Sequence, residues 1–200
     1  MHVYIIYAHP SENSFTYKIL NSFTFGLKDS GNTFEIGNLY KMGFSSEMDL
    51  KQYERETSFD PNLPAPKDVS TEHEKVQRAD GLAFIYPVWW SDCPSILKGW
   101  FDKVWSLGYA YFYDETNQRK STIKPKKALV ICTAGHTVDH LEETGIAQSM
   151  KCIFIQDRLN NVGIANAKME ILGGTITGEE EIKQKHIKTA YELGRNFSKW

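Results

Sequence analysis

Three short segments of the chain each follow a run of apolar residues and combine polar with aromatic side chains. The first is HPSENSFT, residues 9–16, and it ends where a helical pattern begins. Hydroxyl groups and the free N–H groups of a helix start are suited to binding a phosphate. Plain helix capping explains the same residue types, so both interpretations stay open. The candidate phosphate ligands are His9, Ser14, Phe15 and Thr16.

The second segment is PVWWSDCP, residues 87–94, which places Trp89 beside Trp90. Neighbouring side chains of an extended strand point to opposite faces, so one indole can pack while the other flanks a flat ring system. Backbone groups from Val88 to Ser91 can hydrogen-bond the edge of such a ring. Two packing tryptophans remain the alternative. We interpret Cys93 as a packing residue, although a helix start can lower a thiol pKa.

The third segment is CTAGHTVDH, residues 132–140, which we predict to be a polar loop. Its small residues let a ligand approach the backbone closely; they are Thr133, Ala134 and Gly135. His136, Asp139 and His140 match no zinc-binding spacing, and no cysteine pair accompanies them, so we predict no metal site. We expect His140 to form a wall of the same pocket.

The composition narrows the class of protein. The chain has 200 residues, a net charge of −2 and three cysteines without a CxxC spacing. A near-neutral charge argues against a large nucleic-acid interface, and the cysteine pattern argues against a disulfide framework. We find no signal peptide and no apolar run of about 18 residues that would span a membrane. We therefore expect a cytoplasmic protein with a single domain over residues 1–200.

The elements that position these segments follow from hydrophobic periodicity. Apolar runs predict five strands, and helical patterns separate them; the runs begin near residues 2, 33, 81, 127 and 164. Alternating strands and helices predict a parallel sheet with helices on both faces. We predict an α/β, flavodoxin-like three-layer sandwich with strand order 2-1-3-4-5, in preference to a dinucleotide-binding order. Ligands of such sheets lie beyond the carboxyl ends of the strands, where the order reverses and the three segments meet.

Residues 41–68 form a long polar excursion in this pattern, with one short helix expected near residues 50–56. Excursions of this length are usually functional or face a partner. The next helix is predicted to begin at Ser70 or Thr71, with Glu74 completing a capping box.

Three motifs together resemble the flavodoxin-like NAD(P)H:quinone oxidoreductase family, which includes bacterial modulator-of-drug-activity and potassium-efflux ancillary flavoproteins. They are AHPSENSFTY, PVWWSDCPSILKGWFDKVW and the TAG that follows the fourth strand. The second motif is the most specific, and the resemblance extends from the first strand to the loop after the fourth.

The resemblance implies a flavin held by the three loops, in a homodimer with active sites at the subunit interface. FAD is favoured because the longer relatives carry it, and FMN is a close alternative. NAD(P)H is the implied co-substrate. The positions that would hold the phosphates are His9, Ser14, Phe15 and Thr16. Those that would contact the rest of the flavin are Pro87, Val88, Trp90, Ser91, Thr133, Ala134 and Gly135. Trp89 would pack beside them or lie at the dimer interface.

The resemblance also implies an aromatic substrate lid, matched by Tyr111 and Tyr113, that reaches across the dimer. The animal enzymes place a Tyr and a His after the fourth strand as a proton relay. The corresponding positions here hold His140 and Ile146. We therefore expect His140 to stabilise charge on the reduced flavin in place of that relay.

These expectations combine into a flavin-dependent NAD(P)H oxidoreductase with a quinone-like acceptor. Nicotinamide and acceptor would use one pocket in turn, which requires ping-pong kinetics. The alternative is a flavin-bound regulatory subunit that docks peripherally on a membrane transporter through residues 41–68. An electron-carrier flavodoxin fits less well, since such carriers tend to be strongly acidic.

Overall fold

Five parallel strands form the central sheet of the computed structural model, which describes residues 1–176 and 179–200. The seven strands of the described chain are β1 (His2–Tyr7), β2 (Thr33–Asn38), β3 (Gly81–Pro87), β4 (Phe112–Tyr113), β5 (Arg119–Lys120), β6 (Lys127–Thr133) and β7 (Asn166–Leu172). The sheet order is β2-β1-β3-β6-β7, which confirms the predicted order 2-1-3-4-5. Ile5 of β1 pairs with Ile36 on one side and Ala83 on the other.

Helices cover both faces of this sheet. They are α1 (Phe15–Asp29), α2 (Leu50–Glu56), α3 (Lys67–Arg78), α4 (Ser95–Val104), α5 (Val138–Glu143), α6 (Ile146–Lys151) and α7 (Glu180–Arg195). One core packs α1 and α7 against β1, and the other packs α3, α4 and α6 against the opposite face. A Cβ at Gly26 would lie 2.1 Å from the carbonyl oxygen of Tyr191, so this glycine lets α1 and α7 touch.

The start of α3 differs from the prediction. The helix begins at Lys67, after Pro66, whose fixed φ suits a helix entry. The hydroxyl groups of Ser70 and Thr71 donate to the carbonyl oxygen of Lys67 inside the first turn, so neither caps the helix. The predicted capping box with Glu74 is therefore wrong.

The segment after β6 was predicted to be a loop, but it contains α5. Thr137 caps this helix, its hydroxyl oxygen accepting the N–H of His140 at 3.3 Å. Leu141 is the helix's buried residue, and Gly145 follows with a φ of 75°. One buried residue in six is too little to produce a recognisable helical period.

Two further segments differ in detail from their patterns, which predict one continuous helix from residue 146 to about residue 160 and an aromatic loop over residues 109–125. The chain continues from α6 into a π-helix, Cys152–Leu159, and a 3₁₀ turn, Asn160–Val162. The predicted aromatic loop contains the antiparallel ribbon of β4 and β5, in which Tyr113 pairs with Arg119.

The predicted short helix at residues 50–56 is confirmed as α2. No helix in the described ranges is long and apolar enough to cross a membrane.

Candidate functional site

The carboxyl ends of β1, β3 and β6 lie side by side at the point where the strand order reverses. Thr133, the last residue of β6, connects the loops that follow them. Its carbonyl oxygen accepts the N–H of Val88 at 2.8 Å, and its hydroxyl lies 2.8 Å from that of Thr16. The structure therefore brings together the three segments that the sequence singled out.

The start of α1 contributes backbone donors to this site. Ser14 is the N-cap, and its hydroxyl oxygen accepts the N–H of Tyr17 at 3.1 Å. The N–H groups of Phe15 and Thr16 precede the first intrahelical bonds and have no acceptor among the residues that the structure describes. The first turn also carries no acidic side chain. Capping thus occupies the Ser14 hydroxyl and leaves two N–H groups available to an anion.

His9 lies in the same loop and is half-buried. Its Nδ1 accepts the N–H of Ser11 at 3.0 Å. Burial lowers the pKa of His9, and the Ser11 contact only partly offsets this effect. The ring is therefore neutral near pH 7, and its accepting Nδ1 leaves the proton on Nε2 as a donor. The His9 and Trp89 rings lie 6.1 Å apart, which joins the first loop to the second.

Tyr7, at the end of β1, carries an unsatisfied hydroxyl. Its Oη is the one buried side-chain polar atom, within residues 1–176 and 179–200, that lacks a hydrogen-bond partner. Burial raises the pKa of Tyr7 to about 12, and the nearby Ser14 hydroxyl partly offsets that rise without making a hydrogen bond to it. Buried polar groups are normally paired, so the unpaired Tyr7 hydroxyl beside the Ser14 cap is an unusual feature of this part of the chain.

The second loop turns sharply at its two exposed residues. Trp89 and Asp92 exchange two backbone hydrogen bonds of 3.0 and 3.2 Å. Between them Trp90 and Ser91 have φ angles of 49° and 66°, the left-handed region that favours glycine. Each such residue costs about 1 to 3 kcal/mol, and it persists only where the surrounding structure holds it in place. The turn leaves the Trp90 side chain fully exposed, and Trp89 is 42% exposed.

Asp92 anchors this turn to the protein interior. Arg158, from the π-helix, donates to both carboxylate oxygens at 3.1 and 3.0 Å. Burial opposes ionisation of Asp92, but the hydrogen bonds and charge of Arg158 hold its pKa below the usual range. Cys93 is buried beside this pair, and burial raises its pKa to about 12, so the helix start does not activate the thiol. The sequence analysis missed both Asp92 and Arg158.

The third loop is less open than predicted. Thr133 and Ala134 are buried, and the carbonyl oxygen of Ala134 already accepts both the N–H and the hydroxyl of Thr175. A Cβ at Gly135 would lie 2.5 Å from Cδ1 of Ile176, so this glycine allows the loop to pack there. The accessible part of this loop is formed by the exposed residues that follow.

Those exposed residues include His136 and His140, whose rings stack with centroids 4.5 Å apart. The backbone N–H of His140 donates to the Thr137 cap, and the exposed imidazole makes no hydrogen bond within the described residues. Within the described ranges, no group of three or more His, Cys, Asp or Glu residues is arranged to hold a metal ion.

No hydrogen bond or ring contact joins Tyr111 or Tyr113 to the three loops within the described residues. Tyr111 lines a groove of about 330 Å³ whose other walls include Phe101 and Trp105, and none of the lining residues comes from those loops. The Arg119 guanidinium lies over the Tyr111 ring at 5.4 Å, and Tyr113 is 59% exposed. The predicted lid is therefore not assembled on the loops of the same chain.

Comparison with known proteins gives consistent matches over nearly the whole chain. A family model described as having a flavodoxin-like fold matches residues 1–193. The structure of an NAD(P)H:quinone oxidoreductase from Methanothermobacter marburgensis is 50% identical, with a TM-score of 0.95 over 100% of this chain and 98% of its own. An uncharacterized NAD(P)H oxidoreductase from Haemophilus influenzae is 30% identical over 93% of this chain and 90% of its own length. The ribosyldihydronicotinamide dehydrogenase (quinone) of Pongo abelii is 31% identical over 72% of this chain and 68% of its own length.

Proposed function

The chain belongs to the family of flavodoxin-like NAD(P)H:quinone oxidoreductases, and from this premise we propose that it reduces quinones with NAD(P)H through a bound flavin. The overall reaction converts NAD(P)H, a proton and a quinone into NAD(P)⁺ and a hydroquinone. The observation that carries the proposal is the meeting of the three predicted loops at the sheet's order reversal, joined through Thr133.

The residues at this site fit a ligand that has a phosphate at one end and a flat aromatic ring at the other. Two free N–H groups at Phe15 and Thr16 and the unsatisfied Tyr7 hydroxyl support the phosphate end. The exposed Trp90 indole supports the ring end. A flavin bound there supplies the two-electron chemistry, accepting hydride from NAD(P)H and passing it to the quinone.

The protein's own groups bind and orient the flavin. His9, as a neutral donor, and the start of α1 hold the phosphate. The first turn of α1 carries no acidic side chain, and Glu12 of the preceding loop is paired with Lys41 at 3.4 Å. The Trp89–Asp92 turn sets the position of the Trp90 indole, which lies beside the flat ring of the ligand. His140 lies on the exposed side of the third loop and stabilises negative charge that develops on the cofactor. These roles remain proposals for each residue.

The finer assignments are proposals as well. We propose FAD as the cofactor, with FMN as the alternative, on the resemblance to longer relatives. We propose a homodimer in which Tyr111 and Tyr113 of one subunit close the pocket of the other, since no hydrogen bond or ring contact joins them to the loops of their own chain within the described residues. A cytoplasmic location is likewise a prediction.

Purification and spectroscopy test the main proposal directly. The protein should be yellow, with flavin absorbance, and mass analysis of the cofactor released on denaturation distinguishes FAD from FMN. Steady-state rates measured with both substrates varied should give parallel double-reciprocal lines. A protein that binds neither flavin would contradict the proposal, and intersecting lines would contradict the shared pocket.

The regulatory-subunit alternative is not supported by a specific observation. Its docking surface, residues 41–68, is hydrogen-bonded to the loop that leads to Tyr111. Glu56 accepts the N–H of Leu107 at 2.7 Å, and Arg55 donates to the carbonyl oxygen of Leu107 at 3.0 Å. These contacts connect the excursion to the proposed substrate lid.

A further inference from the structure

The Trp89–Asp92 turn needs support from its surroundings. Its two central residues are not glycine, yet both have positive φ angles of 49° and 66°. Residues held in this region persist only where neighbouring structure fixes them. The exposed side chain of Trp90 contributes little to that support, because it is fully accessible to solvent. The support must therefore come from the base of the turn.

The base of the turn is held by one guanidinium. Arg158 donates to both oxygens of Asp92, and Asp92 Oδ1 also accepts the N–H of Cys93 at 2.7 Å. A bidentate pair of this kind fixes orientation as well as distance. The contact joins residues 66 positions apart, so it ties the turn to a distant part of the fold.

Arg158 is itself held in place. Its side chain is 8% exposed, and the guanidinium lies 5.2 Å from the Phe101 ring and 5.3 Å from the Phe154 ring. The indole Nε1 of Trp105 donates to the Arg158 carbonyl oxygen at 2.6 Å. The anchor is therefore a fixed part of the core and not a mobile surface arginine.

The π-helix Cys152–Leu159 explains how Arg158 reaches the turn. A π-helical turn contains about one residue more than an α-helical turn, which rotates the following side chains by about 100° relative to a continuous α-helix. Arg158 lies near the end of this segment, so its direction depends on the irregularity. π-Helical turns occur frequently at functional sites.

We propose that Arg158 is a positioning residue for the flavin: through Asp92 it holds the strained Trp89–Asp92 turn in the conformation that binds the ring. The inference rests on the proposed function. Arg158 does not touch the reacting atoms, and it acts through the shape of the turn. The π-helix and the Trp89–Asp92 turn, which forms one wall of the proposed flavin site, thereby act as one structural unit.

Arg158→Met tests the inference, with flavin affinity measured by fluorescence titration of the apoprotein. We expect the dissociation constant to rise at least about tenfold. The control is Arg78→Met. Arg78 makes an ion pair with Glu35 at 3.1 Å, its side chain is 55% exposed, and the pair lies away from the three loops. This control should change affinity by less than about twofold. If Arg158→Met fails to fold, Asp92→Asn replaces it with the same expected result.

A rescue variant separates positioning from general stability. Glycine adopts a positive φ without a steric penalty. Ser91→Gly should therefore relieve the backbone strain at φ 66°, so that the turn depends less on the contact between Arg158 and Asp92. In the Arg158→Met background it should recover most of the lost affinity. A purely structural role for Arg158 would not be rescued by this change. Unchanged affinity in Arg158→Met, or no recovery in the double variant, would overturn the inference.

A measurement without flavin keeps this result distinct from the proposed activity. Hydrogen exchange of the apoprotein should show faster exchange over residues 89–92 in Arg158→Met and slower exchange again after Ser91→Gly. A protein that binds flavin but reduces no quinone would defeat the proposed function and leave these results interpretable. Unchanged exchange in Arg158→Met would defeat the inference alone.

Discussion

The hydroxyl oxygens of Thr16 and Thr133 lie 2.8 Å apart in a buried hydrogen bond that joins the start of α1 to the end of β6. Thr133 also accepts the N–H of Val88 through its carbonyl oxygen. Both threonines were predicted to contact the cofactor, and their hydroxyls are engaged with each other. This contact fixes the relative positions of the groups that remain free, above all the N–H groups of α1.

Thr133→Val should destabilise the protein while preserving the shape of the side chain. The change leaves the Thr16 hydroxyl buried without a partner, which costs about 1 to 2 kcal/mol of unfolding free energy. For a chain of this size that corresponds to a fall of about 2 to 8 °C in melting temperature. Thermal unfolding of the apoprotein measures it, and flavin affinity should fall in the same variant.

The double variant Thr16→Val with Thr133→Val is the control for this prediction. Replacing both partners by apolar groups of the same shape removes the unsatisfied hydroxyl, so part of the lost stability should return. A double variant that is as unstable as the sum of the two single changes would show that the hydrogen bond is not the cause.

Tyr7→Phe should have the opposite effect on the apoprotein. The Tyr7 hydroxyl has no partner within the described residues, so its removal should raise the free energy of unfolding by about 1 kcal/mol. The matched control is Tyr4→Phe in the same strand. The Tyr4 hydroxyl donates to the buried carboxylate of Glu72 at 2.5 Å, and its loss should cost about 1.5 to 3 kcal/mol. Chemical denaturation measures both, and a destabilised Tyr7→Phe would contradict the prediction.

Flavin binding should reverse the benefit of Tyr7→Phe. If the hydroxyl donates to the ligand or to Ser14 once a phosphate is bound, the variant loses a contact that the apoprotein lacks. The flavin-induced rise in melting temperature should then be smaller in the variant than in the wild-type protein. If flavin raises the melting temperature of both proteins equally, the Tyr7 hydroxyl makes no contact that depends on the ligand, and Tyr7 only packs in the core.

The general layout of fold and site was predictable because it depends on local patterns. Continuous apolar runs, alternating with helical periods, predict the parallel sheet with helices on both faces, and the structure confirms the strand order that we preferred over a dinucleotide-binding order. The three loops were found because polar and aromatic residues follow buried strands, where α/β sheets bind ligands. Helix capping in the first loop was left open beside phosphate binding, and only the structure identifies Ser14 as the cap.

The remaining features depend on contacts between distant residues. The Asp92–Arg158 pair spans 66 positions, and although Asp92 lies in the PVWWSDCP segment, no local pattern links it to Arg158. The left-handed conformation of Trp90 could not be read from a sequence that lacks glycine there. The two-residue strands β4 and β5 are too short for an alternating pattern. Tertiary packing decides each of these features, and a single sequence carries no signal for it.

The stability of the apoprotein should fall as the pH drops below about 6.5, the ordinary pKa of histidine. Burial lowers the pKa of His73, whose ring stacks on Tyr109 and whose Nε2 bonds to the Val104 carbonyl oxygen at 2.9 Å. The unfolded chain therefore binds a proton at a pH where folded His73 does not. Its stabilising contribution is complete above the unfolded pKa and is lost as the pH falls toward the folded pKa.

His73→Gln tests this contribution, because glutamine keeps a donor for Val104 and does not titrate. Unfolding free energies measured at about pH 7.5 and about pH 5.5 should differ less in the variant than in the wild-type protein. Some pH dependence should remain, since the pKa of His9 is also lowered by burial. An identical loss in both proteins would exclude His73 as a source.

His140→Ala should slow hydride transfer to the flavin about tenfold, which is less than the roughly hundredfold or more contributed by a proton-transferring group, because His140 is assigned only charge stabilisation. His140 stands where the family relay has tyrosine, and Ile146 occupies the histidine position, so no second relay group compensates for it there. Stopped-flow reduction of the bound flavin by NAD(P)H isolates this step from quinone reduction and product release.

His136→Ala is the matched control for this last prediction. The two rings stack at 4.5 Å and both are exposed, so either change removes the stacking contact, while only His140 is assigned the charge-stabilising role. The control should retain hydride transfer within about twofold of the wild-type rate. A similar loss in both variants would assign the effect to the shape of the loop. A rate for His140→Ala within about twofold of wild type would show that His140 does not take part in hydride transfer. The loops would then only bind and orient the flavin.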